Sequence, residues 1–156
     1  MNFCGRTGTI LRKWYAIDEC GNKDSCIQTI TVQDTTKPVF VGSLPTDTTI
    51  NCDAIPTAVS LTATDNCGTA SVSYSESKTT GNCINNYVLT RTWIAKDTCN
   101  NTTTHIQTIT VQDTTKPVFV GSLPTDTTIN CDAIPTAASL TATDNCGTAS
   151  VSYSES

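Results

Sequence analysis

Nine cysteines stand in a chain of 156 residues, and their spacing decides which chemistry they can perform. No pair has the Cys-x-x-Cys spacing that marks zinc ribbons and thioredoxin-like redox sites. Widely spaced cysteines in a small, thin-cored protein are typical of disulfides formed in an oxidising compartment. The sequence therefore predicts structural disulfides, no metal site and an extracellular or cell-surface location.

Other chemically active residue types do not form a catalytic pattern. His105 is the single histidine, the serines lie in turns and strands, and the aspartates are scattered. A triad needs a nucleophile, a base and an ordered signature around them, and none is present. We therefore expect no enzyme, no catalytic residues and no cofactor. His105 is interpreted as a partly buried polar residue, Trp93 as a core residue, and Arg91 as one partner of a salt bridge.

Charge and hydropathy exclude two classes of partner. The net charge is −5 and the nine basic residues are dispersed, whereas phosphate backbones are bound by clustered Lys and Arg. No apolar run approaches the roughly 20 residues that cross a bilayer as a helix. We expect neither nucleic-acid binding nor membrane insertion.

The chain repeats itself at an offset of 79 residues. Residues 27–77 recur as residues 106–156, and only one position differs, Val59 against Ala138. Repetition of one small unit is typical of arrays that serve as stalks, fibres or adhesive surfaces. The repeat therefore favours a structural role over catalysis.

The composition favours strands joined by polar turns. Thr, Val, Ile and Ser alternate in short runs, separated by Asn, Asp and Gly. The runs predict an all-β, immunoglobulin-like sandwich in which strands C, F and G are neighbours. The predicted strands are A at residues 38–41 and 48–51, B at 58–64, C at 70–75, F at 87–96 and G at 103–111, with a loop at 76–85.

Three stretches carry a resemblance to a known family. Residues 62–68 read TATDNCG, residues 89–97 read LTRTWIAKD, and residues 108–117 read TITVQDTTKP. They resemble hyalin-repeat modules, the immunoglobulin-like units of large repetitive bacterial cell-surface adhesins. The resemblance implies an extracellular adhesive or structural protein of bacterial origin, and it names no ligand.

The strand order predicts three segments. Residues 34–113 form one complete module, residues 1–33 supply strands F and G of another, and residues 114–156 supply strands A, B and C of a third. Each partial module leaves an apolar face and strand edges uncovered. We expect residues 114–156 of one copy to be completed by residues 1–33 of the next, in a head-to-tail fibre of separate copies or within one long polypeptide.

Strand direction predicts the disulfides. Strands B and F run the same way, so the cysteines that precede them share one end of the sandwich and those that follow them share the other. The expected pairs are Cys52–Cys83 and Cys67–Cys99 within a module, and Cys131–Cys4 and Cys146–Cys20 between copies. Cys26, whose counterpart is His105, is expected to be unpaired or bonded to a neighbouring copy.

Two functions remain open. The first is a structural fibre, stalk or filament, and the alternative is an adhesin module that binds a glycan or host protein through the loops 66–69 and 97–101. The linkers 34–38 and 113–117 also resemble junctions between tandem bacterial domains, some of which bind Ca²⁺. Ca²⁺ takes six to eight oxygens. One Asp per junction, with Asp65 or Asp97 nearby, supplies few of them, so no metal site is predicted.

Overall fold

Ten β-strands and no helix account for the regular structure of residues 7–156, the part of the chain described by a computed structural model. The prediction of an all-β chain is confirmed. The strands are β1 (Gly8–Ile17), β2 (Lys23–Val32), β3 (Val39–Val41), β4 (Thr48–Asn51), β5 (Thr62–Thr64), β6 (Ala70–Thr80), β7 (Tyr87–Asp97), β8 (Thr102–Gln112), β9 (Val118–Val120) and β10 (Thr141–Thr143).

The largest sheet has four strands in the order β4-β8-β7-β6. Strands β6, β7 and β8 correspond to the predicted C, F and G, so their predicted adjacency is confirmed. Strand β4 runs parallel to β8, with Thr48 opposite Ile109. Buried and less buried positions alternate along β7 because successive side chains of a strand point to opposite faces.

Three two-stranded antiparallel sheets complete the fold: β1–β2, β3–β5 and β9–β10. Phe40 lies opposite Ala63 in β3–β5, and Phe119 lies opposite Ala142 in β9–β10. These two pairs are the same sequence positions one repeat apart, and they adopt the same register. Local sequence therefore specifies this pairing in both places.

Two predicted strand boundaries were wrong. Strand B was expected at residues 58–64 but is limited to β5, because the carbonyl of Val59 accepts a hydrogen bond from the Trp93 indole instead of a neighbouring strand. Strand C was expected to end at residue 75, yet β6 continues to Thr80. The additional residues are polar and exposed, so they lack the apolar alternation by which a strand is recognised.

The chain divides into two compact units. Unit 1 comprises Met1–Thr46, Ala58–Ser77 and Thr90–Gln107, and unit 2 comprises Asp47–Thr57, Lys78–Leu89 and Thr108–Ser156. These units interleave along the sequence, unlike the predicted segments 1–33, 34–113 and 114–156. The three predicted segments stay a prediction.

The core of unit 1 is built around Trp93, which is 1% exposed. Its indole Nε1–H donates to the carbonyl of Val59 at 3.1 Å. Its ring centroid lies 5.2 Å from that of Tyr74 and 5.9 Å from that of His105. His105 is partly buried, and its Nε2 lies 2.8 Å from the carbonyl oxygen of Pro45. The interpretations of Trp93 and His105 are confirmed.

The same core contains an ion pair. The Nε–H of Arg91, a buried residue, donates to Oε2 of Glu76 at 2.7 Å, and the hydroxyl of Tyr74 donates to the same oxygen at 2.9 Å. The predicted salt bridge of Arg91 is therefore confirmed. These two bonds, that of Arg91 foremost, hold the pKa of Glu76 below its usual value.

Unit 2 has a smaller apolar core. Leu89, Ile109 and Val111 are buried together, and partly buried side chains close the cluster: Ile50, Cys52 and Tyr87. The ammonium of Lys78 lies 3.6 Å from the centroid of the Tyr87 ring, a cation–π contact that covers the edge of this cluster.

Candidate functional site

The loops predicted to meet at one end of the module do so. Loop 66–69 begins after Asp65, loop 97–101 begins with Asp97, and one carboxylate oxygen from each lies within 4.8 Å of the other. Asp34, which follows β2 in the linker, places a carboxylate oxygen within the same distance of both. All three residues belong to unit 1.

The turn from β7 to β8 holds Asp97 in place. Its Oδ1 accepts the backbone N–H groups of Cys99 and Asn101, each at 2.8 Å, and its Oδ2 accepts the side-chain amide of Asn101 at 2.8 Å. Burial alone would raise the pKa of Asp97, but these hydrogen bonds together keep it below its usual value. Asp97 is therefore a carboxylate fixed in one orientation.

The other two carboxylates are held in a similar way by their own loops. Oδ1 of Asp65 accepts the N–H of Cys67 at 2.9 Å, and Oδ1 of Asp34 accepts the N–H of Thr36 at 3.1 Å. The side-chain amide of Asn101 also donates to the carbonyl of Asp34 at 3.2 Å, which ties the linker to the β7–β8 turn. Among the described residues of unit 1, these three carboxylates form the group that could hold a metal ion.

Sequence reasoning paired the linker aspartate Asp34 with Asp65 or Asp97, but it did not bring all three together and predicted no metal site. Asp65 and Asp97 follow predicted strands B and F, which run the same way and finish at the same end of the sandwich, whereas Asp34 lies in a linker whose position depends on the Asn101 contact. One sequence signal for the turn that orients Asp97 is the pattern Asp-x-Cys-x-Asn, which occurs at residues 18–22 and 97–101. It forms the same turn in both places, since Asn22 donates through its backbone and side chain to Asp18 at 2.8 and 2.7 Å.

The disulfide of unit 2 corrects two predicted pairs. Cys52 is bonded to Cys146, with their Cα atoms 5.9 Å apart, while Cys83 and Cys20 are exposed thiols. The pairs Cys52–Cys83 and Cys146–Cys20 were therefore wrong. The strand-direction argument treated each module as closed, but the N–H of Cys52 donates to the carbonyl of Gln112 at 3.2 Å. Cys52 thus lies where the chain leaves β8 and enters the next repeat.

The surroundings of this bond reinforce the contact between repeats. Oδ2 of Asp53 accepts the side-chain amide of Asn145 at 3.0 Å, and Oδ1 accepts that of Asn51 at 2.8 Å. These bonds, with that of Asn145 the larger cause, lower the pKa of Asp53. Asp113 lies close to the two sulfurs. Cys52 and Cys146 are bonded to each other, so their sulfurs are not thiolate ligands. Asp113 and these two cysteines therefore do not form a metal site.

The remaining cysteines fall into three groups. Cys26 and Cys131 are exposed thiols, like Cys20 and Cys83. Cys99 is disulfide-bonded, and the prediction that its partner is Cys67 stays a prediction. Cys4 lies outside the described residues, so the pair Cys131–Cys4 also stays a prediction.

Several apolar residues that are buried or partly buried within residues 34–113 are exposed where their equivalents recur. Trp14, the equivalent of Trp93, is 49% exposed, and Ile10, the equivalent of buried Leu89, is 50% exposed. In the later repeat Phe119 and Ile129 are exposed, whereas their equivalents Phe40 and Ile50 are partly buried. Strands β1 and β9 therefore expose apolar side chains whose equivalents within residues 34–113 are buried or partly buried.

Comparison with known proteins gives no match, either to a protein-family model or to a curated protein. No helix among residues 7–156 has the length and apolar character to cross a membrane.

Proposed function

We propose that the chain is part of a non-enzymatic, extracellular structural array in which immunoglobulin-like modules follow one another head-to-tail as a fibre or stalk. The observation that carries the proposal is the exposure of Trp14 at the position where Trp93 is buried. A tryptophan that is core in one copy of a unit and half exposed in another favours a neighbour that supplies the covering strands.

The chain also carries the complementary surface. Trp93 is covered by Tyr74 and by the carbonyl of Val59. Their equivalents one repeat later are Tyr153, which is exposed, and Ala138. The single difference between residues 27–77 and 106–156 therefore changes the side chain at this position and leaves an accepting carbonyl. Trp14 of one copy would pack on Tyr153 of its neighbour as Trp93 packs on Tyr74.

The disulfide supports the same arrangement. Cys52 and Cys146 belong to successive repeats, so their bond fastens one module to the next. Cys131 is the equivalent of Cys52 and is an exposed thiol. In an array it stands at the following boundary, where a cysteine of the neighbouring copy is its expected partner. Disulfides of this kind form in oxidising compartments, which favours an extracellular array.

Assembly of the purified chain tests the proposal. We expect wild-type chains to form open, concentration-dependent polymers in sedimentation velocity, and Trp14→Ala to remain monomeric. Tyr15→Ala is the matched control, because Tyr15 lies on the opposite face of β1 and should leave polymerisation unchanged. A wild-type chain that stays monomeric, or a Trp14→Ala chain that polymerises like wild type, would contradict the proposal.

Reducing, denaturing electrophoresis of native material then distinguishes two forms of the array. A band near the mass of 156 residues indicates separate copies that exchange strands and are locked by disulfides. A very large mass indicates one continuous polypeptide in which the repeats follow one another. Specific binding of a single module to a glycan array would favour the adhesin function instead.

A further inference from the structure

We propose that Asp34, Asp65 and Asp97 form a Ca²⁺ site at the boundary between successive repeats. Their juxtaposition is the starting point: one carboxylate oxygen of each lies within 4.8 Å of the others. Ca²⁺ binds oxygens at about 2.3–2.6 Å, so oxygens on opposite sides of one ion stand about 5 Å apart. A single Ca²⁺ ion therefore fits among the three groups, with carbonyls or water completing its shell.

Two buried oxygens without hydrogen-bond partners point to a missing cation. Oδ2 of Asp34 and Oδ2 of Asp65 each expose less than 1 Å² and have no partner. A buried carboxylate oxygen without a partner is costly, since it has lost water and gained nothing in return. No ion pair among residues 7–156 involves these three side chains. A bound cation would satisfy both oxygens and remove the repulsion between the carboxylates.

The bonds of the other oxygens preorganise the site. Oδ1 of Asp34 and Oδ1 of Asp65 are each occupied by a backbone N–H of their own loop, which leaves each Oδ2 available. Asp97 is oriented by Asn101, which also binds the linker that carries Asp34. Little rearrangement is needed on binding, so little of the binding free energy is spent on ordering the side chains.

The next repeat provides an internal comparison. Asp113 and Asp144 are the equivalents of Asp34 and Asp65, and each accepts the same loop N–H bond, from Thr115 at 3.2 Å and Cys146 at 2.9 Å. Neither has a buried oxygen without a partner within the described part of the chain. Among the described residues, buried carboxylate oxygens without hydrogen-bond partners occur where Asp97 adds a third carboxylate to the group. This separates the site from an ordinary pair of aspartate turns.

Calcium titration of the purified chain tests the site. After removal of metals with EDTA, isothermal titration calorimetry with CaCl₂ should give one ion per monomeric chain. At free Ca²⁺ about 100-fold above the dissociation constant, the melting temperature should rise by about 5–10 °C. Asp65→Asn should weaken binding at least tenfold and abolish the shift. Its melting temperature without Ca²⁺ should equal or exceed that of wild type, because one repelling charge has been removed.

Asp144→Asn is the matched control, because it makes the same substitution in the same local sequence one repeat later. It should bind Ca²⁺ and shift in melting temperature as wild type does. The proposal is overturned if wild type binds no Ca²⁺ at millimolar concentration, if Asp65→Asn binds as tightly as wild type, or if both variants lose binding equally. Titration at a concentration where the chain is monomeric keeps these readouts independent of polymer formation, so the site and the fibre are tested separately.

Discussion

Two matched variants, Trp93→Ala and Trp14→Ala, test whether these equivalent positions differ in burial as strongly as the structure indicates. Truncation of a fully buried Trp costs about 3–5 kcal/mol. Loss of the indole hydrogen bond leaves the carbonyl of Val59 without its donor, which places Trp93→Ala in the upper half of that range. Trp14 is half exposed, so the same change there should cost no more than about 1 kcal/mol.

Urea unfolding followed by circular dichroism measures both variants, at a concentration where the chain is monomeric. Domains of this size unfold with about 5–15 kcal/mol, so Trp93→Ala should lower the urea midpoint severely and Trp14→Ala only slightly. Equal losses for the two variants, or a loss below about 1 kcal/mol for Trp93→Ala, would refute the reasoning. Either result would mean that the core does not depend on the residue that the structure places at its centre.

Two further predictions use the same pairing of equivalent residues. Glu76→Gln should destabilise the chain by about 1.5–3 kcal/mol in urea unfolding at pH 7, because it weakens a charged hydrogen bond to a buried arginine, whereas Glu155→Gln should have little effect. Because the pKa of Glu76 is lowered in the folded chain, the stabilisation by its carboxylate is complete above about pH 4.5 and is lost as the pH falls below that value. The free energies of unfolding of wild type and Glu76→Gln should therefore converge in acid. Cys52→Ser opens the loop of 94 residues closed with Cys146, and should cost up to about 4–5 kcal/mol in the chain-entropy model, whereas Cys131→Ser, the same change one repeat later, should not.

The sheet could be predicted from the sequence where apolar residues alternate. Strands β7 and β8 alternate clearly, and their positions beside β6 followed from the immunoglobulin-like order. Strand β6 beyond Ser75 could not be found this way, because its pairing is made by backbone groups of polar residues at a sheet edge. The predicted start of strand B was also wrong. The carbonyl of Val59 accepts a hydrogen bond from the indole of Trp93, 34 residues away, instead of one from a neighbouring strand.

The candidate site was only partly predictable for a related reason. The meeting of the Asp65 and Asp97 loops follows from strand order, which sequence patterns specify well. The position of Asp34 depends on a hydrogen bond from Asn101, and the partner of Cys52 depends on the path of the chain after Gln112. Contacts between a module and its connecting segment have no periodic signature, so strand patterns alone could not place them.

The bond between Cys52 and Cys146 also changes how the chain would carry mechanical load. Tension applied to the two ends passes through the sulfur–sulfur link and bypasses the 94-residue stretch that it closes. Fully extended, that stretch would add roughly 320 Å of length. While the disulfide is intact this length stays hidden under force, and its release requires chemical reduction and not only the rupture of hydrogen bonds. Repeated at each boundary, the link would make an array nearly inextensible in oxidising surroundings and extensible in reducing ones.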